Sequence, residues 1–382
     1  MSAAVTIRNA RLVTPDAVIE QGSLKVAEGR IAAIDSGASQ AADTLDFDGD
    51  YLLPGLVELH TDHMEKHFAP RPGVRWPGRL AVMSHDAQVT AAGITTVLDA
   101  VAVGDVREGA VRMEMLREMI QAIDGAQRSG MLRAEHLLHL RCEISFKDLM
   151  ALIEPMTELS WLKLISVMDH SPGQRQFVNP AKYREYYQGK FGLSDAQMDE
   201  FMASQIAAAE ANGVRNRRAV VDLCRAKGLP LASHDDATAD HVAEAAADGM
   251  VVAEFPTTHE AATLSRQHGM KVMMGGPNVV RGGSHSGNIS ARSLAESGEL
   301  DIISSDYVPS SLLHSAFLLP GQVPEITLPQ AVAMVSRNPA ESIGLTDRGV
   351  IEPGRRADLL RVSVVDGFPV VRGVWREGQR VM

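Results

Sequence analysis

The segment Pro54-Gly-Leu-Val-Glu-Leu-His-Thr-Asp62 is a short apolar run that ends in an imidazole and a carboxylate. Its length and its Pro-Gly boundary are typical of a buried strand. His60 and Asp62 are two residues apart, so on an extended backbone both side chains leave the same face and can bind one cation. A His-x-Asp pair alone is more often a polar strand end, so the rest of the chain has to decide between these interpretations.

Eight strand-like runs of this kind recur, each followed by a stretch with helical spacing. They span residues 55–60, 95–101, 137–143, 162–168, 229–234, 250–256, 271–275 and 301–306. Helical spacing is clearest in residues 112–123, 197–212, 214–226 and 237–248. Eight strand–helix units over about 250 residues predict an α/β fold of the (β/α)8 TIM-barrel type, with a doubly wound sheet as the main alternative. The polar stretch 178–205 is longer than an ordinary loop and is expected to be an insertion.

Both ends of the chain have a different pattern. Short alternating apolar and polar segments, separated by Gly and Pro, fill the first fifty residues and return in the last thirty-odd. This pattern predicts antiparallel β-structure. We therefore expect a small β-sandwich domain formed by residues 1–52 and 345–382, and a catalytic barrel formed by residues 53–344.

Composition excludes several functional classes. The chain has 382 residues, with 37 Lys and Arg against 48 Asp and Glu, a net charge of −11. Such an acidic chain lacks the basic face of a sequence-independent nucleic-acid binder. Its two cysteines, Cys142 and Cys224, form neither a disulfide framework nor a paired-cysteine metal site. With no apolar run near the roughly 20 residues of a membrane span and no signal-like start, a cytoplasmic location is expected.

Metal-binding residue types close several of the predicted strands. Catalytic groups of a TIM barrel lie at the carboxyl ends of its strands, so this bias predicts a metal site there. The candidate ligands are His60, Asp62, Glu143, His234, His259 and Asp306. Asp306, after the last strand, is also the candidate general base that accepts the proton of the attacking water. One or two divalent cations, Zn²⁺ or Mn²⁺, are expected.

Glu143 is the candidate that bridges two cations, because a carboxylate has two oxygens. An ion pair with Arg141 is its alternative role. Asp169 with His170, at the end of the fourth strand, compete for the bridging position. Lys163 is a third candidate, although its place early in the strand puts it deep in the barrel.

Longer motifs carry a resemblance to a known family. The segments 54–62, 60–73, 85–88, 140–143, 168–177, 281–288 and 349–360 are similar in order and spacing to the amidohydrolase superfamily, in particular to its phosphonate-metabolism branch. The resemblance implies a metal-dependent barrel with a sandwich built from both termini. It also implies hydrolysis of α-D-ribose 1-methylphosphonate 5-triphosphate to the 5-phosphate and pyrophosphate, in the carbon–phosphorus lyase pathway. His63 departs from the pattern, because the resemblance implies Asn there.

Basic and polar residues on the loops after the strands independently favour a polyphosphate substrate. A net-negative chain must concentrate cations locally to hold such an anion, and Arg binds phosphate oxygens bidentately. The candidates are Lys66, His67, Arg71, Arg175, Arg281, Ser284, His285 and Asn288. A small phosphorylated sugar is therefore the expected partner, with self-association left open.

The sequence is also compatible with two other functions. The same metal site serves carbon electrophiles, so hydrolysis of a C–N bond, as in deacetylases, cyclic amidases and deaminases, is the enzymatic alternative. A scaffold protein without metal is the second rival, and the complete set of ligand types argues against it.

Overall fold

The computed structural model describes residues 5–37, 44–106, 111–284 and 287–382. In these residues the strands are, in chain order, β1 (Val5–Val13), β2 (Val18–Ala27), β3 (Arg30–Ser36), β4 (Thr44–Asp46), β5 (Tyr51–Pro54), β6 (Leu56–Thr61), β7 (Ile94–Val103), β8 (Glu135–Glu143), β9 (Leu162–Met168), β10 (Leu231–His234), β11 (Val252–Glu254), β12 (Lys271–Gly275), β13 (Ile302–Ser304), β14 (Leu359–Val365), β15 (Phe368–Arg376) and β16 (Gln379–Arg380).

The helices alternate with the strands through the middle of the chain. They are α1 (Glu65–Phe68), α2 (Gly78–Ala91), α3 (Val111–Arg128), α4 (Leu149–Met156), α5 (Pro180–Phe191), α6 (Asp195–Lys227), α7 (Ala239–Asp248), α8 (His259–Gln267), α9 (Gly276–Arg281), α10 (Ala291–Glu296), α11 (Ser311–Gln322), α12 (Leu328–Ala333) and α13 (Arg337–Ser342), with a 3-10 turn at Arg175–Phe177. Within the described ranges, no helix is both long and apolar enough to cross a bilayer.

Strands β6 to β13 form one eight-stranded sheet in sequence order. The pairings within it are parallel, as in β6 with β7 and β10 with β11. The two ends of the sheet meet where the backbone N–H of Asp306 donates to the carbonyl of His60 at 3.1 Å. The eight parallel strands form a nearly closed barrel, so the predicted fold is confirmed and the doubly wound alternative is wrong.

A second sheet combines the two ends of the chain. Its order is β16-β15-β14-β5-β1-β2-β3, with β4 paired to β1. Its alternating apolar residues form a core that includes Leu12, Phe47 and Trp375. The predicted sheet from both termini is therefore confirmed, while the residue boundaries predicted for the two domains stay a prediction.

Gly55 joins this terminal sheet to the barrel, between β5 and β6. A Cβ atom there would lie 2.1 Å from Oγ1 of Thr95 and 2.9 Å from Cβ of Asp358. Only glycine allows so close an approach, and its N–H donates to the carbonyl of Asp358 at 2.7 Å. The Pro-Gly boundary of the opening segment therefore marks the passage from one sheet to the other.

The chain divides into two compact units. The first comprises residues 1–99, 121–137 and 274–382, and the second comprises residues 100–120 and 138–273. In the second unit, the stretch 178–205 is helical: it forms α5 and the start of α6 around an aromatic core that includes Tyr183 and Tyr187. The expectation of two separate helices at 197–212 and 214–226 is wrong, because α6 continues through a buried Gly213 for 33 residues.

A buried ion-pair network stabilises the first unit. Glu135, at the start of β8, accepts hydrogen bonds at 2.5 Å from both Arg348 and Arg356. Arg348 and Arg356 are 7% and 8% exposed. Each arginine has a second carboxylate, Asp347 for Arg348 and Asp358 for Arg356. The carboxylate of Glu135 therefore compensates two buried charges at once.

We expect Glu135→Ala to lower the free energy of unfolding by about 3 kcal/mol, at the low end for a broken buried pair because each arginine keeps one partner. The matched control is Asp124→Ala, which removes an i,i+4 pair with the exposed Arg128 and should cost about 0.5 kcal/mol. Urea unfolding curves of both variants provide the measurement. Equal losses would contradict the role given to Glu135.

Candidate metal centre

The first barrel strand presents His60 on a rigid backbone. His60 is 1% exposed, and its N–H donates to Oε1 of Glu58 at 2.7 Å. The other carboxylate oxygen of Glu58 accepts the N–H of Ser305 at 2.5 Å. Through these two hydrogen bonds, Glu58 links the end of β6 to Ser305, the residue that precedes Asp306. Burial raises the pKa of Glu58 to about 8.

A second hydrogen bond fixes Asp306 from the same strand. Oγ1 of Thr61 donates to the carbonyl of Asp306 at 2.8 Å. Asp306 has a φ of +53°, a conformation that Asp tolerates better than most residues. The first unit thus brings His60 and Asp306 together through Glu58 and Thr61, and half-buried Asp62 follows directly after β6.

The second unit groups a different set of ligand types around Glu143. Glu143 is 2% exposed, and its Oε2 lies 2.7 Å from Nδ1 of His170. Ser145 donates to its other oxygen at 2.8 Å. Burial lowers the pKa of His170, but the hydrogen bond and charge of Glu143 outweigh burial and raise it overall. Burial also raises the pKa of Asp169, with the charge of Glu143 acting in the same direction.

His234 closes β10 beside this group. Ligand atoms of His170, His234 and Asp235 all lie within 4.8 Å of one another, close enough for a shared cation. Nδ1 of His234 lies 3.0 Å from Oε2 of Glu254, a contact of the kind that orients metal-ligating imidazoles. Burial lowers the pKa of His234 and so favours the neutral form that binds metal. Lys163, by contrast, is the second residue of β9, at the opposite end from His170.

His259 lies elsewhere than the sequence predicts. Strand β11 ends at Glu254, and His259 is the first residue of α8, exposed to solvent, with Nδ1 3.3 Å from the hydroxyl of Thr263. The Thr258 side chain caps this helix by accepting the N–H of Ala261. The Thr-Thr-His segment is a helix start rather than a strand end, so the prediction that His259 closes a strand is wrong.

The predicted phosphate-binding residues divide into exposed and buried ones. Lys66, Arg71 and Arg281 are exposed, and Lys66 lies over the ring of Tyr307 at 5.4 Å. Ser284 and Asn288 are half-buried in the loop after α9, whereas His285 lies outside the described residues.

Arg175 differs from the other predicted phosphate ligands. It is 5% exposed, and its guanidinium pairs with Asp236 and with Glu244. Burial lowers its pKa to about 10, so the side chain stays charged at neutral pH. Its charge is engaged by two carboxylates, which gives Arg175 a structural environment rather than a phosphate-facing one.

A histidine cluster that the sequence did not predict occupies the first unit. His63, His67 and His85 have ligand atoms within 4.8 Å of one another. His85 is also hydrogen-bonded to Asp99, whose other oxygen contacts His136 at 2.7 Å.

The chain is similar to known proteins over almost its whole length. The model of the amidohydrolase family matches residues 81–382. The chain belongs to this family. It is 53% identical over 98% of its length to α-D-ribose 1-methylphosphonate 5-triphosphate diphosphatase of Escherichia coli K12, covering 99% of that protein. It is 26% identical over 99% of its length to an adenine deaminase of Desulfatibacillum aliphaticivorans, covering 58% of that protein.

Solved amidohydrolase-like structures share the fold. A 5-methylcytosine deaminase from Klebsiella pneumoniae superposes with a TM-score of 0.63 at 15% identity, over 99% of this chain and 98% of that one. An N-acetyl-D-glucosamine-6-phosphate deacetylase from Mycobacterium smegmatis gives a TM-score of 0.64 at 15% identity, with both chains fully covered at 100%. At such identity the likeness shows the architecture alone.

Several buried polar residues with fixed partners escape sequence reasoning. Glu58 lies inside an apolar strand, where a carboxylate has no periodic signal. Asp235 directly follows His234, and its position at a strand end was a usable signal. His136 and His139 resemble packing histidines in the sequence, yet His136 is fully buried between Asp99 and Asp86, and His139 is hydrogen-bonded to Ser166.

His136 makes stability depend on pH. Burial lowers its pKa, but Asp99 and Asp86 outweigh burial and raise it to about 9. The folded pKa therefore lies above the unfolded value of 6.5. The stabilisation is fully present below the unfolded pKa and is lost as the pH rises through the folded one.

We expect metal-free protein to lose about 3 kcal/mol of unfolding free energy from this group between about pH 6.5 and pH 9.5, since one pKa unit is worth 1.36 kcal/mol. His136→Gln should be less stable at neutral pH and should show a smaller loss over the same interval. Urea unfolding at both pH values measures this. An identical pH dependence in the variant would show that another group titrates.

Proposed function

We propose that this amidohydrolase is a metal-dependent diphosphatase that cleaves α-D-ribose 1-methylphosphonate 5-triphosphate into the 5-phosphate and pyrophosphate. The observation that carries the proposal is the end-to-end identity of 53% with the Escherichia coli diphosphatase. The match covers 98% of the chain, so it spans both the barrel and the terminal sheet, including the strand ends where a TIM barrel carries its catalytic groups.

The proposed metal ligands follow the carboxyl ends of the parallel strands. His60 lies near the end of β6, Asp62 follows that strand, Glu143 ends β8, His170 follows β9, His234 ends β10, and Asp306 follows β13. His170 replaces His259 in this set, because His170 contacts Glu143 whereas His259 begins an exposed helix turn. Mixed imidazole and carboxylate donors suit Zn²⁺ and Mn²⁺, and Glu143 is the proposed bridge if two ions bind.

A bound divalent cation would lower the pKa of water and polarise a phosphoryl oxygen. Asp306 is the proposed acceptor of the proton from the water that attacks the α-phosphorus. Glu58 and Thr61 hold the backbone of Asp306 in register with β6, so the base is positioned before substrate arrives. Such positioning reduces the reorganisation needed during the reaction.

The substrate's phosphates need cations at the mouth, since the chain as a whole carries a charge of −11. Exposed Lys66, Arg71 and Arg281 are the proposed partners, with Ser284 and Asn288 as hydrogen-bond donors. Asn278 helps to hold the loop that carries Ser284 and Asn288. Its side chain accepts the N–H of Ala291 at 3.0 Å and donates to the carbonyl of Ile289 at 3.4 Å. A cytoplasmic location and self-association stay predictions.

Hydrolysis of a C–N bond is the second candidate. The match to an adenine deaminase at 26% identity, over 99% of this chain and 58% of that protein, is the observation that favours it. Turnover of adenine by metal-loaded enzyme, with none of the ribosyl triphosphate, would support that function over the diphosphatase.

We expect Asp306→Asn to reduce kcat by about 10²–10⁴-fold, the usual contribution of general base catalysis, with KM changed far less. Asp366→Asn is the matched control, because Asp366 lies in the exposed turn between β14 and β15 and has a φ of +51° that Asn adopts readily. Pyrophosphate release from metal-loaded enzyme measures both. Full activity of Asp306→Asn would exclude the proposed base, and activity after exhaustive chelation would exclude the metal.

Arg281→Ala should raise KM for the triphosphate by about tenfold, because a hydrogen bond to a charged group contributes about 1.5–3 kcal/mol. Its melting temperature should stay unchanged, since Arg281 is exposed. Arg292→Ala on the next helix, which removes an exposed i,i+4 pair with Glu296, is the control for both quantities. A KM equal to that of the control would remove Arg281 from the phosphate site.

A further inference from the structure

We propose that His63, His67 and His85 form a zinc site that is separate from the catalytic metal centre and connects α1 to α2. His63 precedes α1, His67 lies in α1, and His85 lies in α2. None of the three belongs to the ligand set proposed for catalysis. Zinc binding at this site does not depend on the diphosphatase activity, because it is measured as bound zinc and not as turnover.

The geometry brings three imidazole nitrogens to one place. Ligand atoms of the three histidines lie within 4.8 Å of one another. The ring centroids are 4.9 Å apart for His63 and His67, and 5.8 Å apart for each of the other two pairs. Zinc binds imidazole nitrogen at about 2.0–2.1 Å with tetrahedral geometry, so ligand nitrogens lie about 3.3 Å apart. The ligand-atom distances in the structure exceed that spacing by at most about 1.5 Å.

Each of the three rings also has one buried nitrogen without a hydrogen bond in the described structure. Nδ1 of His63, Nε2 of His67 and Nδ1 of His85 are buried and make no hydrogen bond there. His63 is 7% exposed and His85 is fully buried. Burying an unpaired polar nitrogen is costly, so three together need a compensating partner. A single cation would satisfy all three at once.

Two of the three rings, those of His85 and His67, have a second hydrogen-bond partner, as ligating histidines do in known zinc sites. Nε2 of His85 lies 2.8 Å from Oδ1 of Asp99, a carboxylate–histidine pair that leaves Nδ1 available for metal. The side chain of Gln88, on the same helix as His85, is hydrogen-bonded to His67. These contacts fix the ring orientations before metal binds, which lowers the entropic cost of binding.

Three neutral nitrogen donors select the ion. Imidazole suits zinc, whereas calcium and magnesium prefer oxygen ligands. The nitrogens are buried, so a bare cation reaches them far more easily than a triphosphate does. His67 therefore fits a metal ligand better than the substrate contact expected from the sequence. The site would fasten the segment after β6, which also carries Asp62 and Lys66, to α2.

The test measures the number of zinc ions bound per chain. Full-length protein is stripped of metal, reloaded at micromolar zinc and then freed of unbound zinc. The wild-type chain should retain one more zinc than either His63→Asn or His67→Gln. His234→Asn should keep this zinc while losing catalytic metal, which separates the two sites. His268→Asn, at an exposed histidine that ends α8, should match the wild type.

Zinc content of His63→Asn and His67→Gln equal to wild type would overturn the proposal. An anomalous difference map of wild-type crystals grown with zinc decides the case where a variant fails to fold. A peak about 2.0–2.1 Å from the three named nitrogens supports the site. A map with no peak there at saturating zinc contradicts it.

Discussion

The candidate site of the first unit depends on the two backbone hydrogen bonds that the side-chain carboxyl group of Glu58 accepts. It accepts one backbone N–H from its own strand and one from Ser305, 247 positions further along the chain in the loop after β13. A carboxyl group inside an apolar strand is costly unless both of its oxygens have hydrogen-bond partners, and here backbone donors provide them. The same hydrogen bonds therefore help to close the barrel and to place His60 and Asp306.

The same principle of buried polar groups with fixed partners recurs within each of the two units. Glu143 holds His170, Glu254 holds His234, and Asp99 holds both His85 and His136. In each case a carboxylate fixes one ring nitrogen and orients the imidazole. Such an arrangement prepares histidines for metal or proton chemistry and separates residues that act directly from residues that position them.

Local signals made the barrel and much of the site predictable. Each strand run carries its own apolar pattern, and His60, Asp62, Glu143, His234 and Asp306 follow directly from where those runs end. Contacts across long sequence distances were not predictable, because no period records them. Glu58 with Ser305 is one example, and the approach of His63 to His85 is another. His259 failed for a different reason: a Thr-Thr-His segment after a strand also makes a helix cap.

Isotope labelling tests the central claim, attack of water on the α-phosphorus, most directly. Hydrolysis of α-D-ribose 1-methylphosphonate 5-triphosphate in ¹⁸O-water by metal-loaded enzyme can be followed by ³¹P NMR, where the label shifts the resonance of the phosphorus that bears it. The account predicts pyrophosphate without label and a sugar 5-phosphate that carries one ¹⁸O. Labelled pyrophosphate, or orthophosphate as the first product, would contradict it.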